Sequence, residues 1–130
     1  MLRLSGGRLM HELKGLNMLL LFTKGRHTGK FRHTPLLYIE DSDRYYCAAS
    51  FAGSDRDPEW YLNLVSDPNV ELLIRRRRIA AKARLTEGKE RKEAWRKLVE
   101  YYPSFATYQD RTKRTIPVVM FRLVSDSTKN

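Results

Sequence analysis

Between Asn17 and Phe51 three strand-like runs follow one another so closely that no crossover helix fits between them. The first, Asn17 to Lys24, is an apolar stretch bounded by Gly25. The second, Phe31 to Glu40, alternates in polarity and ends in the turn-forming Asp41-Ser42-Asp43. The third, Arg44 to Phe51, is rich in aromatic and small residues. Antiparallel neighbours need only a few connecting residues, whereas parallel neighbours need a dozen or more, so the three form a meander. A doubly wound parallel sheet is disfavoured from the outset.

The remaining chain extends this pattern. Asp57-Pro58-Glu59 supplies a capping carboxylate, a proline suited to a first helical turn and an acid near the positive helix end, and Asp67-Pro68 stops the run Trp60 to Val65. This predicts a short helix from Pro58 to about Ser66. Val70 to Arg76 and Arg78 to Leu85 read as a hairpin that turns within Arg75 to Arg78, with arginines at its tip. From Glu87 onward Ala94, Trp95, Leu98, Val99 and Tyr102 recur at helical spacing, with Glu87/Arg91 and Glu93/Lys97 pairs on the other face, until Pro103 ends the helix. Ser104 to Arg111 reads as a turn-like aromatic stretch. It leads to a sixth strand, Ile116 to Phe121, whose Pro117 suggests an edge or a strand start. A short helical lead-in is expected around Arg8 to Lys14. About six mostly antiparallel strands with inserted helices give an α+β class built on a closed or split β-barrel, a single domain over residues 1–130.

Composition narrows the function. Of 130 residues 42% are apolar, enough to bury a core, and 25 Lys+Arg against 15 Asp+Glu leave a net charge of +10. Such a surface favours phosphates, nucleic acid, acidic lipid or a polyanionic small molecule. The lone Cys47 forms no internal disulfide and builds no thiolate metal cage, and His11, His27 and His33 lack metal-ligand spacing, so no metal is expected. The longest apolar run, Met18 to Phe22, is far short of the roughly 20 residues of a spanning helix. A soluble cytoplasmic protein is expected, with a surface that can still touch a membrane.

The sharpest chemical feature is the first turn. No acid occurs between Glu12 and Glu40, while Lys14, Lys24, Arg26, Lys30 and Arg32 do, and four of these cluster around Gly25 to Gly29. Glycine amides, the Thr28 hydroxyl and flanking guanidiniums could together cradle phosphate oxygens, and a solvated hairpin turn is the equally weighted alternative. It is not a P-loop, since Gly25 and Gly29 are four apart and no hydroxyl follows Lys30. A second cluster, Arg75 to Arg78 with Lys82 and Arg84, reads more simply as charge that protects a strand edge. A nucleic-acid binder is not expected, because the tyrosines gather near Pro103 rather than among the basic turn.

In combination the motifs are specific. G-R-x-[ST]-G-x-x-R at residues 25–32, T-P-L at 34–36, a small-residue strand ending in Ser50, D-P-x-W-Y-x-N-L at 57–64, Y-P-x-x-x-x-Y-Q at 102–109 and R-x-I-P-V-V at 114–119 follow in order. The chain resembles the deazaflavin-dependent nitroreductase family, whose members use reduced coenzyme F-420, over about residues 8–124. The resemblance implies a split β-barrel, related to FMN-binding barrels, with the anionic cofactor tail on the basic turn. By matching position it implies that Arg26, His27 and Thr28 meet the phosphate region, and that Arg32, His33, Thr34, Pro35 and Leu36 line ring and tail. Ala48, Ala49 and Ser50 then approach the deazaflavin ring, Trp60, Tyr61 and Asn63 close over it, and Tyr102 and Tyr108 stand on the substrate side. Three positions depart from the family's habit: Phe51 in place of Lys, His27 in place of Lys or Arg, and Phe105 in place of Tyr.

The implied activity is an oxidoreductase that moves a hydride from reduced F-420 to a planar acceptor such as a quinone, an enone or a nitroaromatic. The cofactor carries that step, while a hydroxyl near the ring delivers the proton, with Ser50, Tyr102 and Tyr108 as candidates. The alternative on the same fold is a barrel that binds FMN, a flavin-like ligand or lipid without F-420 turnover. The expected partners are a small redox cofactor and a planar acceptor, with the protein a monomer or homodimer.

Overall fold

A computed structural model describes residues 16–50 and 53–124. The helical lead-in expected at Arg8 to Lys14, and Phe51, lie outside the described residues. Seven strands form one antiparallel sheet: β1 (Met18–Lys24), β2 (Phe31–Leu37), β3 (Ile39–Asp41), β4 (Arg44–Ala48), β5 (Asn69–Ile74), β6 (Arg77–Leu85) and β7 (Val118–Leu123). Their order across the sheet is β2-β1-β5-β6-β7-β4-β3. Among the described residues three helices accompany them: α1 (Glu59–Ser66), α2 (Gly88–Tyr101) and α3 (Ser104–Asp110).

The expected strand Phe31 to Glu40 is split in two. Its first part pairs with β1 and its second with β4, at opposite ends of the seven-strand order. Only Tyr38 separates them, donating its N–H to the Asn17 carbonyl at 3.1 Å. A chain that leaves one sheet edge and enters the other within a single residue requires the sheet to curl until those edges meet. The result is a half-barrel, the split-barrel class that the sequence pointed to.

Curling gives the sheet two differently filled faces. On the concave side Leu19, Leu21, Leu72, Cys47, Val119 and Phe121 meet in one core, and α1 adds Trp60 and Leu64 to it. The strand period of two sends the alternate residues Tyr46, Ala48, Val118 and Met120 to the other face, where they pack with Ala94 and Leu98 of α2 and Phe105 of α3. Central strands β4 and β7 therefore read as continuous apolar runs, buried on both sides. Among the described residues no helix is long and apolar enough to cross a membrane.

Four local expectations need correction. Ser104–Asp110 is a helix, not a turn; at seven residues with Phe105 as its single buried anchor it carries no visible period. Asp57 does not cap α1, because its carboxylate is turned to Arg114 instead. The pairs expected on α2 give way to others: Arg96 takes Glu93 and Glu100, while Lys97 reaches Asp41 and Arg91 donates to the Ile116 carbonyl. Finally, the arginine-rich hairpin protects no edge, since β5 and β6 are interior strands. Its two-residue turn holds Arg75 and Arg76 at φ of 51° and 70°, the left-handed geometry of tight hairpins. Arg75 is anchored by Glu40, while Arg78 pairs with Glu71 and lies over the Phe22 ring.

The outer face is tied to the sheet through Glu90 of α2. Its carboxylate accepts two hydrogen bonds from Arg84 on β6, at 2.9 and 3.2 Å, and one from the Tyr46 hydroxyl on β4, at 2.8 Å. Arg84 chiefly, and Tyr46 next among the favourable contacts, hold the Glu90 carboxyl below its ordinary value of 4.5, against the opposing effect of burial. A carboxyl with a lowered folded value stabilises the fold above its unfolded value, and that contribution is lost as pH falls through the folded one. Glu90→Ala should therefore lower the urea-unfolding free energy by about 1 kcal/mol at pH 7. The difference from wild type should shrink as pH falls below 4.5 and vanish once the folded carboxyl is protonated; a deficit that persists there would mean lost packing rather than lost charge.

Candidate functional site

The turn between β1 and β2 is closed largely by its own backbone. The Gly25 N–H donates to the Lys30 carbonyl and the Gly29 N–H to the Gly25 carbonyl, both at 2.8 Å, and the Lys30 N–H is taken by Thr28 Oγ1. Gly29 sits at φ +75°, where a Cβ would be strained. Both glycine amides that the sequence offered as an anion nest are therefore consumed within the turn, while those of His27 and Thr28 have no hydrogen bond among the described residues.

Helix α1 holds this turn through one buried side chain. Asn63, 4% exposed, accepts at Oδ1 from the Arg26 backbone N–H (3.2 Å) and from Arg26 Nη1 (2.8 Å), and its Nδ2 donates to the buried Thr23 Oγ1 (3.3 Å). Arg26 also meets Glu59 Oε1 at 2.9 Å. Its guanidinium is thus engaged before any ligand arrives. Arg32 lines the same cleft, its guanidinium without an ion pair or hydrogen bond among the described residues.

Between the turn, β2 and the start of α1 lies a cleft of about 840 Å³. His27, Thr28, Arg32 and His33 supply its polar rim, with Thr34, Pro35, Leu36 and the buried Trp60 as its more apolar wall. Ser50 lines it two residues after β4, and its Oγ is buried without a hydrogen-bond partner among the described residues. A buried hydroxyl left unsatisfied costs about 1–3 kcal/mol, and such groups concentrate where a ligand completes them.

The wall carrying Arg56, Asp57, Pro58 and Glu59 is stapled in place by Arg114. That guanidinium donates to Asp57 Oδ1 at 2.8 Å, to the Ser54 carbonyl at 3.0 Å and to the Ala49 carbonyl, next to Ser50, at 3.3 Å. Gln109 fixes Arg114 in turn: its Nε2 donates to the Arg114 carbonyl and its Oε1 accepts the Ile116 N–H. Thr112 adds a bond to Asp55, and Gly53 comes so close to α3 that a Cβ there would lie 2.8 Å from Arg111 Cβ. Arg114 and Gln109 both fall within the sequence motifs, yet sequence alone gave neither a role. Their partners sit far away in the chain, and no local period marks them.

Not every expected residue reaches the cleft. Arg26, His27, Thr28, Arg32, His33 and Thr34 line it, as do Pro35, Leu36, Ser50, Trp60 and Asn63. Ala48 and Ala49 are buried in the two cores, one on each side of the sheet. Tyr61 packs edge-on against Trp60; burial first, and Asp57 next, raise its phenol above the ordinary value, with Arg114 opposing. Tyr102 and Tyr108 lie with the outer core, their rings edge-on to Phe105 at 5.1 and 6.3 Å, and are not among the residues lining the cleft.

Comparison with known proteins gives the site a family context. The family model described as F420H(2)-dependent quinone reductase matches residues 1–122. The chain belongs to that family. An F420H(2)-dependent quinone reductase of Mycobacterium tuberculosis is 36% identical over 120 residues, spanning 89% of this chain and 80% of its own. A solved F420-H2 dependent reductase, FDR-A, superimposes with a TM-score of 0.75 at 36% identity, over 82% of this chain and 94% of that one. Another solved structure, a domain-swapped dimer, gives a TM-score of 0.76 at 32% identity, over 93% and 96%.

Family membership implies coenzyme F-420, and the residues present fit it. The cleft volume lies in the range of small-molecule sites, its wall pairs apolar side chains with a buried unpaired hydroxyl, and Arg32 is free to meet an anion. Trp60 is both a core anchor for α1 and part of the cleft wall.

The Arg114 staple is directly testable. Arg114→Ala leaves Asp57 unpaired and two carbonyls without their donor, so urea unfolding should show a loss of about 2–4 kcal/mol. Arg114→Lys keeps the charge but not the fork and should recover only part. Full stability in the Ala variant would show that the staple holds nothing in place.

Proposed function

We propose that this cleft binds reduced coenzyme F-420 and that the protein transfers its hydride to a quinone. The observation that carries the reading is the orphaned hydroxyl of Ser50, a residue lining a cleft that also presents an unpaired guanidinium, in a chain of this family. When bound, the reduced deazaflavin supplies the hydride. The chain's own residues bind, orient and exclude water.

Each part has a task that follows from its chemistry. Arg32 and the free His27 and Thr28 amides attract the negative tail. Pro35, Leu36 and Trp60 offer apolar surface on which a planar ring is desolvated. Two-electron reduction of a quinone also takes up a proton, and among the hydroxyl residues lining the cleft the unpartnered Ser50 is assigned to hold and pass one on. Ala49, immediately before it, is held from both directions: its N–H donates to the Pro117 carbonyl at 2.7 Å and its carbonyl accepts from Arg114. The hydroxyl is therefore carried on rigid backbone, as a positioned donor requires. Tyr102 and Tyr108, on the outer core, are left with a packing role in this reading.

Ser50→Ala should slow F-420-dependent quinone reduction about tenfold to a hundredfold with cofactor affinity nearly kept, in stopped-flow turnover and fluorescence titration. Tyr108→Phe should change the rate little. A Ser50 variant with unaltered kcat would assign the proton path elsewhere.

A further inference from the structure

Two acids stand in the cleft wall, Asp57 and Glu59, in a site read above as one for a polyanion. Asp57 is accounted for by Arg114. Glu59 is not needed for any such staple, and its side chain is 65% exposed. Its carboxylate nevertheless draws in two guanidiniums, with Oε1 at 2.9 Å from Arg26 Nη1 and Oε2 at 3.9 Å from Arg56 Nη2. A phosphate or carboxylate of a ligand would seek the same donors with the same charge and fork geometry.

We infer that Glu59 is a built-in competitor anion that sets the affinity and charge selectivity of the cleft. The inference rests on the cofactor reading above and goes beyond it. A ligand reaching Arg32 meets an open cation, whereas one that extends to Arg26 and Arg56 must displace the Glu59 carboxylate or lie beside it against its charge. Arg26 stays in place when Glu59 swings away, because the Asn63 amide holds both its backbone N–H and its Nη1. The cation is therefore preorganised by a neutral partner and masked by a charged one. An exposed acid on the first turn of α1 can rotate into solvent at little loss, since exposed pairs contribute modestly. The device favours ligands carrying several negative groups over those carrying one.

The test is equilibrium fluorescence titration of oxidised coenzyme F-420 against wild type, Glu59→Gln, Arg26→Gln and the double variant, at low and high salt. Glu59→Gln should bind about threefold or more tighter at low salt, and the gain should shrink as screening rises. Arg26→Gln keeps a donor for Asn63 while removing the charge. Its loss of affinity should be larger in the Glu59→Gln background than in wild type, a coupling that mere loosening of α1 would not produce. Unchanged or weaker binding by Glu59→Gln, or equal Arg26→Gln losses in both backgrounds, would overturn the competitor role while leaving the cofactor reading intact. Absence of saturable binding in all four proteins would defeat the cofactor reading and the inference with it.

Discussion

A primary amide buried to 4% exposure has to find its hydrogen bonds inside the protein, and the cleft takes its shape from where Asn63 finds them. Its oxygen takes both donors of Arg26 and its nitrogen reaches Thr23, so one side chain joins β1, the basic turn and α1. Trp60 and Leu64 carry the apolar half of the same attachment by burying the inner face of α1 in the concave core. Polar and apolar constraints agree, and they leave the space between turn and helix open rather than collapsed.

A second attachment completes the opposite wall. The Arg114 guanidinium, 16% exposed, gathers the chain after β4 onto the segment leading into β7, with Gln109 holding that segment from α3. The outer helices thus act on the site without touching it. Substitutions in the α3 region reach the cleft through this path, and the aromatic cluster of Tyr102, Phe105 and Tyr108 belongs to the support rather than to the lining.

Local pattern carried much of the architecture. Apolar and aromatic runs bounded by turn residues placed β1, β4 and the β5–β6 hairpin, and a fourteen-residue helix announced itself through its period. What local pattern missed was decided at long range. The apolar run Pro35 to Ile39 passes straight through Tyr38, so the change of partner from β1 to β4 leaves no mark in the sequence. Asp57 has every quality of a helix cap, yet an arginine 57 positions later claims it. The clustered charge of the basic turn was legible in the sequence, as a candidate anion site or a solvated hairpin turn alike. The glycine amides are consumed within the turn, and Arg26 is engaged on two sides by groups from α1 that no spacing rule connects to the turn.

The central claim is that the cleft between the basic turn and α1 is where the redox cofactor lies. A crystal structure of the protein with oxidised coenzyme F-420, and a parallel soak with FMN, tests it most directly. Deazaflavin density is predicted in that cleft, within hydrogen-bond reach of Ser50 Oγ and with its anionic end toward Arg32. Density against Tyr102 and Tyr108 on the outer face, or a cleft that takes FMN and refuses F-420, would contradict it.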